Sequence, residues 1–328
     1  MKKILVIGGG SIGARHVRCF QKTERATVVL CETNDGLRQR IVDSYALPQS
    51  FESLDDALDE HFDGAVICTP APLHVPMARR LVDRRIATLI EKPLSISVTG
   101  ISELQAEVRA YQTPVSVAYV MRQHPALIEM KKAVDSEVFG RPVQIAYMGG
   151  QHFPFYRPAY REIYYTKHET GGGAIQDALT HVMNAAEWIV GPVTRLIADA
   201  EHCVLDGVDV EDTVHVITRH GVVLGAFCMN QHQPVNESRL TVMCERGAVR
   251  FEGHRHRWLT SSEPNGLWRV EQEFSLERDD LFVSQANGFL DQIADGAAPV
   301  CTLEESVQTL KVNLAALESV RTEKWVKI

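Results

Sequence analysis

Six residues near the amino terminus constrain this chain most: Gly8-Gly9-Gly10-Ser11-Ile12-Gly13. They fit G-x-G-x-x-G, follow the apolar run Ile4–Ile7 directly, and open a stretch from Ile12 to Phe20 whose apolar residues recur at helical spacing. A strand, a glycine turn and a helix in that order form a phosphate cradle. Gly8 permits the tight turn, Gly10 lets the backbone approach a pyrophosphate, and Gly13 lets the helix lie close to the strand, while Ser11 and Ile12 bring first-turn amides and the positive end of the helix dipole. Glu32 stands at the end of the next strand, nineteen residues after Gly13 (32 − 13 = 19). A carboxylate there accepts from both hydroxyls of an adenosine ribose and repels a 2′-phosphate, which predicts NAD as the cofactor. NADP stays open as an alternative, because Arg38 is near in sequence and Thr33-Asn34 could accommodate a phosphate.

The rest of the first third repeats the same rhythm. Thr27–Leu30, Ala65–Cys68, Thr88–Ile90 and Val115–Ala118 read as strands buried on both faces, separated by helical stretches at Leu37–Tyr45, Leu54–Leu58, Val75–Val82 and Ile101–Val108. Ser53 and Ser97 stand where helix N-caps are expected. A doubly wound parallel α/β sheet of the Rossmann kind follows. Beyond residue 122 the pattern changes. Helices are expected at Ala126–Val134 and at Ala174–Val190, the second closed by Gly191-Pro192. From Thr194 to Phe274 the chain alternates in strand fashion, with turns at His220-Gly221, Arg246-Gly247 and Pro264-Asn265-Gly266, which predicts a large, mostly antiparallel sheet. Helices at Leu281–Ala294 and Leu303–Thr322 end the chain. The expected division is a dinucleotide-binding domain, 1–122, and an α+β domain for substrate binding and oligomerisation, 123–328.

Three further motifs are hard to explain as packing: Cys68-Thr69-Pro70 with His74, Glu91-Lys92-Pro93, and Gly171-Gly172-Gly173-Ala174-Ile175-Gln176-Asp177 leading to His181. The first two fall at the carboxyl ends of strands, where ligands bind in open parallel sheets. With these in order along its whole length, the chain resembles the Gfo/Idh/MocA family of NAD(P)-dependent oxidoreductases. The resemblance implies a Rossmann domain followed by an α/β domain whose large open sheet often serves oligomerisation, as a dimer or tetramer. It also implies oxidation or reduction at a secondary alcohol of a sugar, sugar acid or cyclic polyol. Carried over by motif, Lys92 would contact the reacting oxygen, and Asp177 and His181 would complete the acid/base group. Thr69, Pro70, His74, Glu91 and Lys92 would join the glycine loop in holding the cofactor, with His74 shaping the nicotinamide pocket, and Pro93 would follow a cis peptide.

The chemistry agrees with those roles. Removing hydride from a carbinol carbon leaves a hydroxyl proton that an imidazole titrating near neutrality accepts well. Asp177 and His181 are four residues apart, so a helix sets them on one face. A lysine cation stabilises developing alkoxide charge. Where the family often has a second acid three residues after the histidine, this chain has Asn184. The aromatic and basic stretch from Gln151 to Tyr165 has two readings. It is a substrate loop, in which Tyr160 stacks on a sugar and Arg157 or Arg161 binds an anionic group, or it is a packed contact. Arg122 is a further candidate for an anionic substrate group.

Composition excludes other classes. Thirty-four Lys plus Arg against forty-two Asp plus Glu give a net charge of −8, which is unsuited to general nucleic-acid or anionic-membrane binding. No apolar stretch approaches a membrane span, and the run after Met1-Lys2-Lys3 is too short for a signal peptide. Seven scattered cysteines without C-x-x-C predict reduced thiols and a cytoplasmic location. Thirteen histidines include His254-Arg255-His256, but the flanking arginines and the lack of a ligand motif predict no metal. Two rival functions remain open: an NAD-retaining glycosidase of the same family, and a nonenzymatic dinucleotide-binding regulator.

Overall fold

The computed structural model describes every residue from Met1 to Ile328. Its contacts divide the chain into two compact units, Met1–Gln123 with Glu277–Val307, and His124–Leu276 with Gln308–Ile328. Neither is continuous in sequence, in contrast to the contiguous halves expected.

In the first unit, β1 (Lys2–Ile7), β2 (Ala26–Cys31), β3 (Ser50–Phe51), β4 (Gly64–Ile67), β5 (Ala87–Ile90) and β6 (Val115–Val117) form a parallel sheet in the order β3-β2-β1-β4-β5-β6. The apolar runs expected as strands are buried on both sides, since Ile4, Leu5, Val66 and Ile67 expose none of their surface. Helices α1 (Ser11–Lys22), α2 (Asp35–Tyr45), the single turn α3 (Leu54–Ala57), α4 (His74–Asp83) and α5 (Ile101–Tyr111) fill the connections. Asn34 caps α2 by accepting from Leu37 N at 2.8 Å, and Ser53 caps α3 from Asp56 N. Ser97 does not cap α5. That helix begins later, behind Gly100 in the left-handed region, and the Ser97 hydroxyl accepts from Thr99 N instead.

The segment that returns to this unit brings a helix of its own. Phe289 and Leu290 enter the core beside Phe20 and Val66, and Asp279 receives Nε and Nη2 of Arg18 at 2.6 and 2.7 Å. A Cβ on Gly64 would come within 2.7 Å of Ile293, so the glycine allows this close packing.

The second unit is built on nine strands: β7 (Pro142–Gly150), β8 (Arg195–Glu201), β9 (Thr213–His220), β10 (Val223–Asn230), β11 (Glu237–Cys244), β12 (Gly247–Glu252), β13 (Arg257–Ser261), β14 (Arg269–Glu273) and β15 (Val326–Lys327). Their order is β14-β13-β12-β11-β7-β10-β9-β8-β15. Every pair is antiparallel except β7 with β10, whose register sets Ala146 against Ala226. Strand β7, at the centre, was not anticipated. Helix α6 (Pro125–Asp135), the single turn α7 (Phe153–Tyr156) and helix α8 (Thr180–Val190) belong to this unit. Helix α9 (Asp280–Asp295) is the returning helix of the first unit, and the division runs through α10 (Leu303–Thr322). The helix expected over Ala174–Val190 begins with a π-helical turn, Ile175–Leu179, and ends at Gly191 with φ +94°.

Candidate active site

The parallel strands of the first unit end on one edge, and its three motifs stand there. Strand β1 runs into Gly8, whose φ of +100° favours glycine and whose Cβ would press on the Cys68 carbonyl at 3.0 Å. A Cβ on Gly13 would lie 1.9 Å from the Gly8 oxygen, so only glycine lets α1 start this close to the strand. Gly10 is the N-cap of α1, offers no side-chain cap, and faces open space for at least 4 Å. The first-turn amides, at the positive end of α1, therefore stand beside a cradle that a side chain would fill. These residues fit a dinucleotide pyrophosphate. Glu32 completes the loop by accepting from Gly9 N (2.6 Å) and Asn34 N (2.8 Å). Arg38, the residue on which an NADP reading depended, is held by Asp35 (2.5 Å), Glu52 (3.0 Å) and the Glu32 carbonyl (2.8 Å).

The turns after β4 and β5 are joined by His74. Its buried ring sets Nε2 2.7 Å from the Thr69 carbonyl and Nδ1 2.9 Å from the Pro93 carbonyl. Burial lowers the His74 pKa against the pull of both carbonyls. Pro70 is exposed at the tip of its turn, and Lys92, half-buried, precedes Pro93 across a cis peptide. Glu91 was expected to touch the cofactor. Instead its carboxylate turns into the protein, with Oε1 2.7 Å from His16 Nε2 of α1 and Oε2 accepting from Lys92 N.

The second unit carries Asp177 and His181. Gly171 and Gly173 adopt φ of +90° and +87°, and a Cβ on Gly172 would strike the Tyr165 carbonyl at 2.1 Å, so the triple glycine is demanded by the turn itself. Asp177 lies buried in the π-helical turn and accepts from Tyr164 OH at 2.6 Å. His181, half-buried, follows in α8, and a spacing of four stays near one turn in either winding. Tyr164 is a site residue that sequence reasoning missed. Its place in an aromatic-rich stretch was visible, but its partner was not.

Several expected substrate contacts have other tasks. Arg122 is buried, with Nη1 donating to Glu305 at 2.7 Å and to the Val300 carbonyl at 3.1 Å. Tyr160 packs with Phe153, Tyr165, Leu205, Val208 and Val210 in a small core, and its hydroxyl donates to the Asp206 carbonyl. Arg161 covers the Tyr160 ring and donates to the same carbonyl. Arg157 and Arg161 both stay exposed, as do Phe155, Tyr156 and Tyr164, while Phe153, Tyr160 and Tyr165 are buried, so the stretch is packed in part and open in part. Asn184 is fully buried and bonded to Thr309. The histidines of His254-Arg255-His256 engage Ser238 and His124, and no group of three or more His, Cys, Asp or Glu side chains is arranged to hold a metal ion. No helix is long and apolar enough to cross a membrane.

A parallel sheet with this glycine cradle at its switch point defines a dinucleotide-binding protein. Two family models place it further. Residues 2–119 match the GFO/IDH/MocA oxidoreductase family, NAD-binding Rossmann fold, and residues 127–250 match the GFO/IDH/MocA C-terminal domain. The chain belongs to that family, and its first unit is an NAD-binding Rossmann domain. It is 20% identical over 326 residues to scyllo-inositol 2-dehydrogenase (NAD(+)) of Bacillus subtilis, covering 96% of this chain and 93% of that protein. It is 19% identical over 336 residues to myo-inositol 2-dehydrogenase of Thermotoga maritima, covering 99% and 98%. Levoglucosan dehydrogenase in complex with NADH shares the fold, with a TM-score of 0.90 at 20% identity, over 100% of this chain and 99% of that one.

Proposed function

We propose that this protein transfers hydride between a nicotinamide and a secondary alcohol or ketone of a sugar, sugar acid or cyclic polyol. Buried Asp177, hydrogen-bonded by Tyr164 one turn ahead of His181, carries this reading. The glycine loop and the first-turn amides of α1 would hold NAD, which would supply a hydride acceptor for oxidation and, reduced, a hydride donor for the reverse reaction. His181 accepts the hydroxyl proton on oxidation and gives it back on reduction. Asp177 orients the imidazole, and the Lys92 ammonium polarises the reacting oxygen. The inositol and levoglucosan dehydrogenases among its relatives support a polyol-like substrate.

Screening inositols, aldoses, sugar acids and anhydrosugars with NAD while following nicotinamide absorbance tests the reaction. Both Lys92→Ala and His181→Ala are expected to lower kcat by about 10²-fold or more. Turnover undiminished in either variant refutes the roles. Release of an aglycone from a glycoside without net NADH would replace a dehydrogenase by a glycosidase.

A homo-oligomer formed through the sheet is part of the same reading, supported by Met148, Ile217 and Leu224, which lie 61%, 50% and 45% exposed on the strand positions opposite buried Tyr147, Val216 and Val223. Light scattering on Ile217→Asp should show a smaller particle than the parent. Seven free thiols support a cytoplasmic location.

A further inference from the structure

Glu211 lies in the loop before β9, buried to 7% exposure, and its carbonyl and one carboxylate oxygen are directed at the start of the segment that carries Asp177 and His181. Its carbonyl accepts from Ala174 N at 3.0 Å, and its Oε1 accepts from Ile175 N at 2.9 Å. Those two amides belong to the first turn, which has no partners inside its own helix. The other carboxylate oxygen meets His168 Nε2 at 2.5 Å. His168 is tied to the same turn from a second side, since its carbonyl accepts from Gln176 Nε2 at 3.1 Å and from Gly171 N at 3.0 Å. Gly173 makes room for the arrangement, because a Cβ there would come within 2.6 Å of both Glu211 oxygens.

We propose that Glu211, paired with His168, is a positioning residue that clamps the amino-terminal turn of this segment and so fixes where Asp177 is presented. The proposal rests on the catalytic reading of Asp177 and His181 given above. Asp177 hangs directly from the clamped turn, its amide donating to the Gly173 carbonyl at 3.0 Å. A turn free to unwind would carry that carboxylate away from Tyr164, and misplacements near 1 Å are costly in catalysis. The neighbouring acid does different work: Asp212 points to the amides of Cys203, Val204 and Leu205. An anion at a helix amino terminus is favourable, yet Glu211 and Asp177 also share one small region, where both raise the pKa of Tyr165 after burial has raised it most. His168, when protonated, supplies the counter-charge. The hydrogen bond to Glu211 raises its pKa against desolvation, and Glu169 adds to the effect.

Three measurements on the full-length protein test the clamp. Amide hydrogen exchange at Ala174 and Ile175 reads the turn without reference to activity, the His168 imidazole titration followed by NMR reads the pair, and steady-state kinetics on the substrate from the screen read the consequence. For Glu211→Ala, exchange at those amides should rise at least about tenfold, and kcat should fall about tenfold to a hundredfold with KM changed less than about threefold. Glu211→Gln keeps an acceptor for Ile175 N and guards against a folding failure of the alanine variant. In it the His168 pKa should fall back toward the ordinary histidine value of about 6.5, and exchange should stay nearer the parent. Exchange in Glu211→Ala equal to that of the parent overturns the clamp. So does a raised exchange with unchanged kcat while His181→Ala is inactive. An active His181→Ala overturns the acid/base reading instead, and exchange and the His168 titration still decide the clamp by themselves.

Discussion

Replacing Gly10 with alanine should separate cofactor binding from folding. Gly10 has φ −61°, a backbone that any residue adopts, and its Cβ would meet no protein atom within 4 Å. As an N-cap, alanine is inferior to glycine by no more than about 1 kcal/mol, so Tm should fall by only about 2–4 °C. The open space is the one a pyrophosphate needs. A methyl group in it displaces the phosphates from the first-turn amides, and losing one or two charge-assisted hydrogen bonds at about 1.5–3 kcal/mol each corresponds to about a hundredfold weaker binding. Gly13→Ala supplies the contrast. Its Cβ would lie 1.9 Å from the Gly8 oxygen where ordinary contact starts at 3.4 Å, so helix and loop must part by 3.4 − 1.9 = 1.5 Å. Overpacking of that kind costs about 1–3 kcal/mol, and this variant should lose stability as well as affinity. NADH binding by fluorescence titration and thermal unfolding of both variants decide the matter. Parent-like affinity in Gly10→Ala, or a Tm loss as large as that of Gly13→Ala, would refute the cradle.

Glu32→Ala removes the acceptor for Gly9 N and Asn34 N together with the ribose contact proposed for it; NAD should bind about tenfold more weakly, and paired titrations should show a smaller preference over NADP. Asp212→Ala strips the amides of Cys203, Val204 and Leu205 and the Thr213 hydroxyl of their shared acceptor, at a cost of about 2–4 kcal/mol in urea unfolding at neutral pH. Burial raises the Asp212 pKa, but those hydrogen bonds outweigh it and hold the carboxyl below the usual range. Its contribution is therefore complete above the ordinary aspartate value of about 3.9 and is lost as pH falls through the depressed one. Acid unfolding should accordingly start at lower ΔG but with a shallower slope in the variant. Gly173→Ala, strained at φ +87° and crowding Glu211, should reproduce the exchange and kcat defects of Glu211→Ala.

What could be read in advance follows one physical rule. Strands β1, β2, β4, β5 and β6 were legible because a strand covered on both faces must be apolar throughout, and their helices because an amphipathic stripe has a fixed period. The glycine loop was legible because each glycine answers a local demand of turn, approach or packing. Strand β7 was not, since Gln144, Ala146 and Met148 on its open side dilute the signal, and its parallel partner β10 lies some eighty residues away (Leu224 against Gln144, 224 − 144 = 80). The two-residue β3 and β15 are too short for any period to show.

The candidate site divides in the same way. Lys92, Asp177 and His181 stand in motifs whose local spacing marks them, and Gly8, Gly10 and Gly13 fit the roles that turn geometry predicts. Partners remote in sequence settled the others. Arg122 reads as an available cation until Glu305 is found beside it, 183 residues on, and Tyr160 as an open ring until Phe153, Tyr165 and Leu205 are found around it. Glu211 and His168 carry no periodic or motif signal, and only folding brings them to the Gly173 turn. By itself the sequence determined the two sheet types and the glycine cradle, because backbone sterics and hydrophobic period act over a few residues. The tertiary structure decided which charges are paired within the protein, as Arg122 is with Glu305, because a charge is neutralised by whatever lies within a few ångströms, whatever its distance along the chain.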